Sequence, residues 1–492
     1  MPPRRRRQQR QQQQDAKNNL SGFDQLLADG TKPAEQPLSS SSMLRFTRKS
    51  TFSLKNNPLC GITGAAWAQI LWRHGRQVDW VYYPRALFIS LLALLNSALA
   101  LIERLLYERQ IQATELPSDP VFIIGHPRTG TTLLHNLLAL DDDCYYTPTT
   151  FAVGFPSAFL WFEALGKRLF AGVIEKTRPM DQMPLHFDLP QEDEIATNLL
   201  SAGMSYYMPL WFMRGEPTFR EYIAFEGDGA ESAAAQAEWK KAFLYFMRKV
   251  TLRHLLRRRS AAAHASCTEG PPHRLLIKSP VHTGRVKLLR QIFPEAAFVY
   301  LHRDPCEVLQ SAAHMADTAY WFCYLNVPTD AQIVEFILWQ FAELWRLYDR
   351  DASDSRATDD PNPNPNPNPN PNPNPNPCRS GLPSTIAPGG VLDAKDANPR
   401  YPCPNPRRVI APDILELSYR QDLVGHTLPA LRAVYAHVGV AFGPRQEVLY
   451  RKAAERMRSY RTNRLPALPR SVRALVAERW SGYFAAFGYD NR

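Results

Sequence analysis

The chain has 492 residues, a formal net charge of +11, 45% apolar residues, 10 Trp and 24 Phe, which is enough to fill a substantial core and excludes global disorder. That charge would suit nucleic acid, a membrane surface or an anionic small molecule, but five arginines within the first ten residues supply almost half of the excess, and the remaining body is only moderately basic. The seven cysteines (60, 144, 267, 306, 323, 378 and 403) are odd in number, scattered and without a CxxC pair, which favours reduced thiols over a disulfide framework or a zinc site.

MPPRRRRQQRQQQQ cannot bury apolar surface and lacks the apolar stretch that follows the charges of a secretory signal. A solvated tail and a nuclear or membrane-surface address both suit it, and residues 1–60 are expected to form a disordered basic, Gln-rich arm. Residues 61–118 are expected to be helical. Within them Ala86 to Ile102, ALFISLLALLNSALALI, is the most apolar run. Its 17 residues sit at the lower edge of what spans a bilayer, and Ser90, Asn96 and Ser97 lower the score, so a buried or membrane-resting helix competes with a true span. A span would leave the N-terminus cytosolic and the body lumenal, as in a Golgi type II protein. The one Asn-x-Ser site, at Asn19, lies upstream of the segment and favours a membrane-associated body facing the cytosol.

From Pro120 the pattern becomes strand then helix. PVFIIG is a short apolar run ending at glycine, TTLLHNLLAL has helical spacing, and RLLIKS (Arg274 to Ser279) and AFVYLH (Ala297 to His302) repeat the alternation. An α/β fold follows, with a central parallel sheet covered by helices on both faces. Asp330 to Asp349 is predicted as a buried helix marked by Ile333, Phe336, Ile337, Gln340, Phe341 and Leu344. Eight Pro-Asn repeats between Asp360 and Cys378 prevent both helix continuation and ladder pairing. With their flanks (352–406) they are expected to be a disordered insertion within a domain over 119–490, because VIAPDILELSY and TLPALRAVYAHVGV resume the strand-helix order afterwards. Ser471 to Tyr489 is predicted as a helix with an aromatic face.

GHPRTGTT, Gly125 to Thr132, has the skeleton of a phosphate-gripping P-loop, with two glycines five apart between strand and helix. Threonine, Thr131, stands where a nucleotide triphosphatase has lysine, and Arg128 sits inside the loop. The backbone nest and the helix N-terminus are therefore predicted to hold an anion. A transferred sulfuryl group carries less charge than a γ-phosphoryl and needs neither that lysine nor magnesium. Its transfer develops charge on the bridging phosphate oxygen, which Arg128 can meet bidentately, with Thr129, Thr131 and Thr132 as further donors.

GHPRTGTTLLHNLL resembles the 5′-phosphosulfate loop of sulfotransferases that use 3′-phosphoadenosine 5′-phosphosulfate. LLIKSPVHTGRVKLLRQIFPEAAFVYLHRDPCEVLQS is similar to the same family's central segment. The likeness extends more weakly through DLPQEDE, VIAPDILELSYRQDLV and the aromatic C-terminus. It implies a P-loop-like α/β fold, that donor as co-substrate and no metal. It also implies phosphosulfate contacts from Arg128, Thr129, Gly130, Thr131 and Thr132, and a grip on the 3′-phosphate by Arg303 and Ser311. The chain departs from the cytosolic subfamily, which has lysine in the loop and K-x-H in place of KSPxH, so catalytic roles carry over only in part.

Around Arg303 a simpler pattern is also legible: Asp304 as helix cap, Pro305 as first helical residue and Glu307 as capping-box partner. Arg461 is a weaker candidate for a third anion contact. Lys278, at the C-terminal end of a strand, can stabilise the sulfuryl oxygens or the leaving phosphate. His282, four residues on, is the first candidate for the base that takes the acceptor's proton, and Glu192 in DLPQEDE is the second. Phe151, Phe155, Phe159, Trp161, Phe162, Tyr206, Tyr207, Trp211 and Phe212 either line an apolar pocket for a small-molecule or lipid-like acceptor or fill a core. No nucleic-acid partner is expected. The competing readings are a nucleotide-dependent small-molecule kinase with a degenerate loop, and a non-catalytic membrane scaffold.

Overall fold

The computed structural model of the chain describes residues 44–47, 53–54, 57–170, 177–178, 180–181, 183, 185–262, 273–353, 410–458, 465 and 467–490. Among them, Val121–Ile124 (β1), Tyr145–Tyr146 (β2), Arg274–Lys278 (β3), Ala297–His302 (β4) and Ile414–Ser418 (β5) form one parallel sheet in the order β2-β3-β1-β4-β5. The residues of β1 alternate between two cores, as the pleat of a strand requires. Phe122 and Ile124 join one core, where Phe122 stacks on Phe298 at 5.4 Å, while Val121 and Ile123 join Leu134 and Leu138 in the other. Helices cover both faces, so the strands read as near-continuous apolar runs.

Register decides where the chemistry can sit. Ile123 pairs with Lys278, Ile124 with Tyr300, and His302 with Ser418. The segments leaving β1, β3, β4 and β5 therefore all begin at one edge. Between β3 and β4 the chain passes from one side of β1 to the other, which opens a crevice at that edge.

The predicted buried helix is present as Asp330–Ser353, with its six marker residues all buried. It runs past the expected start of the insertion at 352, and the Pro-Asn repeats lie outside the described residues. The C-terminal stretch is two helices rather than one, Arg470–Arg479 and Ser481–Phe487. They part at Trp480, whose ring stacks on Phe341 at 3.8 Å while its Nε1 donates to the Leu338 carbonyl at 3.0 Å.

The expected disordered arm is too long at its C-terminal end. Leu44 and Phe46 are buried in the main core, the Phe46 N–H donates to Asp330 Oδ1 at 3.2 Å, and Asn57 caps a short turn at Pro58–Gly61. Leu44 and Phe46 are two apolar side chains directly after a polar run, a detail that composition averages away.

The apolar run lies inside a 31-residue helix, Tyr83–Ala113, long and apolar enough to cross a membrane. Its inner face is nonetheless polar at three buried positions, Arg85, Asn96 and Glu103. Arg85 Nε donates to the Ser53 carbonyl at 3.1 Å, and Asn96 Nδ2 donates to the Ile62 carbonyl at 3.0 Å. Glu103 pairs with Lys249 of the Ala230–Ala262 helix and accepts the Leu160 N–H at 2.7 Å.

Candidate functional site

The loop after β1 is shaped by close approaches. Gly125 has φ +142, and a Cβ there would lie 2.6 Å from the Leu301 carbonyl oxygen. Gly130 has φ +101 and packs against the Tyr419 ring, which leaves no room for a side chain. Arg128, between them, is held at φ 77, a conformation costing a non-glycine residue about 1–3 kcal/mol. His126 pegs the loop into the core against Phe341, with ring centroids 4.4 Å apart, and burial holds its imidazole neutral by lowering the pKa to about 3. Thr129, expected to face an anion, faces inward instead: its N–H and its hydroxyl both donate to the His126 carbonyl, at 3.2 and 2.8 Å. It closes the loop and has no donor left for a ligand. The helix Thr131–Leu138 then starts from Gly130 without a side-chain cap, and Gly130, Thr131 and Thr132 line a cavity of about 970 Å³.

Arg303 and Ser311 line the same cavity. The Arg303 guanidinium donates from Nη1 to the Arg128 carbonyl at 3.1 Å and from Nε to Glu307 at 2.9 Å, and it lies 4.5 Å over the Tyr419 ring. Arg128 reaches the other way, donating from Nε to Ser311 Oγ at 2.9 Å and from Nη1 to Asp181 at 3.1 Å. Tyr483 holds the backbone of Arg303, accepting its N–H at 3.0 Å. Asp304 caps the Pro305–Ala319 helix as expected, by accepting the Glu307 N–H. The Glu307 carboxylate departs from the capping-box pattern and pairs with Arg303 and Arg420. Tyr419 and Arg420, not singled out by the sequence, also line the cavity. The hint was their position directly after a strand of the same sheet, but the π-helical turn Tyr419–Val424 that aims them has no periodicity to find.

A second polar group adjoins this cavity through Thr132. Lys278 Nζ lies 3.3 Å from Thr132 Oγ1 and 2.6 Å from Glu192 Oε1, and Glu192 Oε2 accepts the Tyr207 hydroxyl. Burial pushes the Glu192 carboxyl up, but the Lys278 ammonium and the Tyr207 hydroxyl outweigh it and leave the group below the ordinary glutamate value. Burial also lowers the Lys278 ammonium, with the Glu192 charge opposing it.

His282, the first candidate base, is elsewhere. It is fully buried, its Nε2 lies 2.8 Å from Asp193 Oδ2, and its ring meets Phe122, Trp239 and Phe243 edge-on. The KSPVH segment coils into a 3-10 turn at Pro280–Gly284, which turns the histidine inward. Ligating atoms of Asp193, Glu194 and His282 lie within 4.8 Å of one another, a spacing that would suit a metal. Protein donors already engage all four carboxylate oxygens, from Ser279 and His282 on Asp193 and from Ser205, Trp239 and Arg285 on Glu194. Most of the aromatic region is core: Phe151, Phe159, Phe162, Tyr206, Tyr207, Trp211 and Phe212 are buried, and Phe155 and Trp161 are half-buried against them. Arg461 lies outside the described residues.

A sequence profile of the sulfotransferase family matches residues 120–350, and over that region the chain is similar to the family. Over 438 residues it is 27% identical to omega-hydroxy-beta-dihydromenaquinone-9 sulfotransferase Stf3 of Mycobacterium bovis, covering 87% of this chain and 90% of the relative. The same figures hold for Stf3 of Mycobacterium tuberculosis. The fold is shared with the crystal structure of sulfotransferase STF1 from Mycobacterium tuberculosis H37Rv, at TM-score 0.50 and 14% identity over 85% of this chain and 91% of that one. It is likewise shared with STF9 from Mycobacterium avium, at TM-score 0.51 and 12% identity over 87% and 97%.

Proposed function

We propose that this chain moves a sulfuryl group from 3′-phosphoadenosine 5′-phosphosulfate to a hydroxyl of an apolar, lipid-like acceptor. The observation that carries this reading is that the glycine loop and the Arg303–Ser311 segment open onto one cavity, with Arg303 bonded to the loop's own Arg128 carbonyl. A donor with charge at both its 5′ and 3′ ends needs two such grips. Arg128 and the N–H groups at Gly130, Thr131 and Thr132 would hold the phosphosulfate, and Arg303 with Ser311 the 3′-phosphate.

In the transfer, the acceptor oxygen attacks sulfur in line while the bond from sulfur to the bridging phosphate oxygen breaks. The products are a sulfate ester and adenosine 3′,5′-bisphosphate. The acceptor's proton passes to the Glu192 carboxylate, and the charge left on the phosphate oxygen is met by Lys278 and Arg128. Lys278 sits between Glu192 and Thr132, so a shift toward the leaving phosphate would release the carboxylate and raise its affinity for the proton. His282 serves this scheme by bracing Asp193, next to Glu192, rather than by touching substrate. Cations and N–H groups of the chain meet every charge that develops, so no metal is required. The lipid-like acceptor is suggested by the relatives, whose names describe a sulfotransferase of a menaquinone derivative.

The test is incubation of the full chain with sulfur-labelled donor and a lipid extract. Label in an apolar species is expected. Transfer of phosphoryl from ATP with magnesium, and no transfer of sulfur, would support the kinase reading instead.

A further inference from the structure

Sulfuryl transfer leaves the outer face of the Tyr83–Ala113 helix without a use. Leu87, Leu91, Leu94, Leu101 and Leu105 are between 59% and 79% exposed. At 3.6 residues per turn these positions fall on one stripe, about 27 Å long. Trp80 and Tyr83 are exposed at its N-terminal end, and Trp72 protrudes from the preceding helix Gly64–His74 with 91% exposure. Arg104 and Arg109 are exposed toward its C-terminal end.

We infer that this face rests in the surface of an anionic lipid bilayer, with the helix lying in the membrane plane and not crossing it. Exposed leucines supply the apolar contact, while the ring edges of Trp and Tyr and the arginine heads suit the headgroup region. Crossing is opposed by the inner face. A crossing helix would carry Arg85 and Glu103 into hydrocarbon and leave Lys249 buried without its partner. A second copy of the chain could pack on the same spacing of four and three residues. Paired helices, however, carry charges flanking their seam. Here the flanking positions are Phe88, Leu95 and Ile102 on one side and Ser90 and Ser97 on the other, and the first charge is Arg104. So wide a band without charge fits lipid better than a soluble partner. The inference goes beyond the proposed reaction and does not depend on it.

Flotation of the full chain through a density gradient tests it, using vesicles of phosphatidylcholine and phosphatidylglycerol. The comparison is the Leu91→Gln/Leu94→Gln/Leu105→Gln variant, whose replacements keep good helix propensity. The unaltered chain should rise with the vesicles, and the variant should be depleted from the floated fraction by about tenfold. Circular dichroism and melting temperature should match between the two, and an alkaline carbonate wash should strip the unaltered chain from vesicles. Three results would overturn the inference: equal flotation of both proteins, retention of the unaltered chain through the wash as for a span, or failure of the unaltered chain to float. Failure to float together with a dimer that the triple variant breaks would assign the face to a second copy.

Discussion

Two Glu–Lys pairs in this molecule have the same chemistry and opposite settings. Glu103 and Lys249 are sealed, with side chains 1% and 0% exposed, and they tie the long apolar helix to the body. Glu192 and Lys278 are open at one end, with side chains 22% and 2% exposed, and the lysine touches the first turn of the helix that lines the cavity. A sealed pair can only hold elements together, because neither charge can find another partner. A pair open at one end can exchange partners, which is what the proposed proton uptake by Glu192 and charge stabilisation by Lys278 require.

Replacing one member of each pair should separate the two roles. Glu192→Gln should lower kcat by about 10²–10⁴-fold while binding of adenosine 3′,5′-bisphosphate stays near that of the unaltered chain. Weaker nucleotide binding with kcat unchanged would move the carboxylate from chemistry to donor binding. Lys249→Met strands Glu103 and should cost about 3–5 kcal/mol in denaturant unfolding, with turnover per folded molecule preserved. Lost turnover in a well-folded variant would mean that the two pairs are not distinct in the way described.

A third, partly exposed cluster gives a smaller and pH-dependent effect. Glu163 pairs with Arg253 at 2.6 Å and with Lys167 and Arg257. Burial raises its carboxyl, but these three cations outweigh it and bring the pKa down from 4.5 to about 2. The folded pKa is the lower one, so this contribution is fully present above pH 4.5 and is lost as pH falls toward about 2. It should be worth no more than roughly 3 kcal/mol. Chemical melts across that window should fall more steeply for the unaltered chain than for Glu163→Gln, and parallel slopes would show that the cluster is not coupled to folding.

The same contrast explains what the sequence could reveal. Strands β1, β3 and β4 and the glycine loop are legible because their signals are local: short apolar runs, two glycines at fixed spacing, a cap beside Arg303. That the loop, Arg303 and Ser311 share a cavity was implied by family resemblance, and sheet register is what brings them there. The inward turn of His282 was not legible, because four residues of spacing do not distinguish an extended segment from a 3-10 turn. Nor was the polar inner face of the long helix. Asn96 and Glu103 look like defects in an apolar run until the Ile62 carbonyl and Lys249, far off in sequence, supply their partners. The aromatic region gave no signal that could separate a core from a pocket wall.

In the proposed reaction two grips hold opposite ends of one doubly phosphorylated nucleotide. Calorimetric titration of the unaltered chain and Arg303→Ala with adenosine 3′,5′-bisphosphate and with adenosine 5′-monophosphate tests it most directly. Two separate grips should give a loss of about tenfold to a hundredfold for the bisphosphate and little change for the monophosphate. Equal losses for both nucleotides would contradict it.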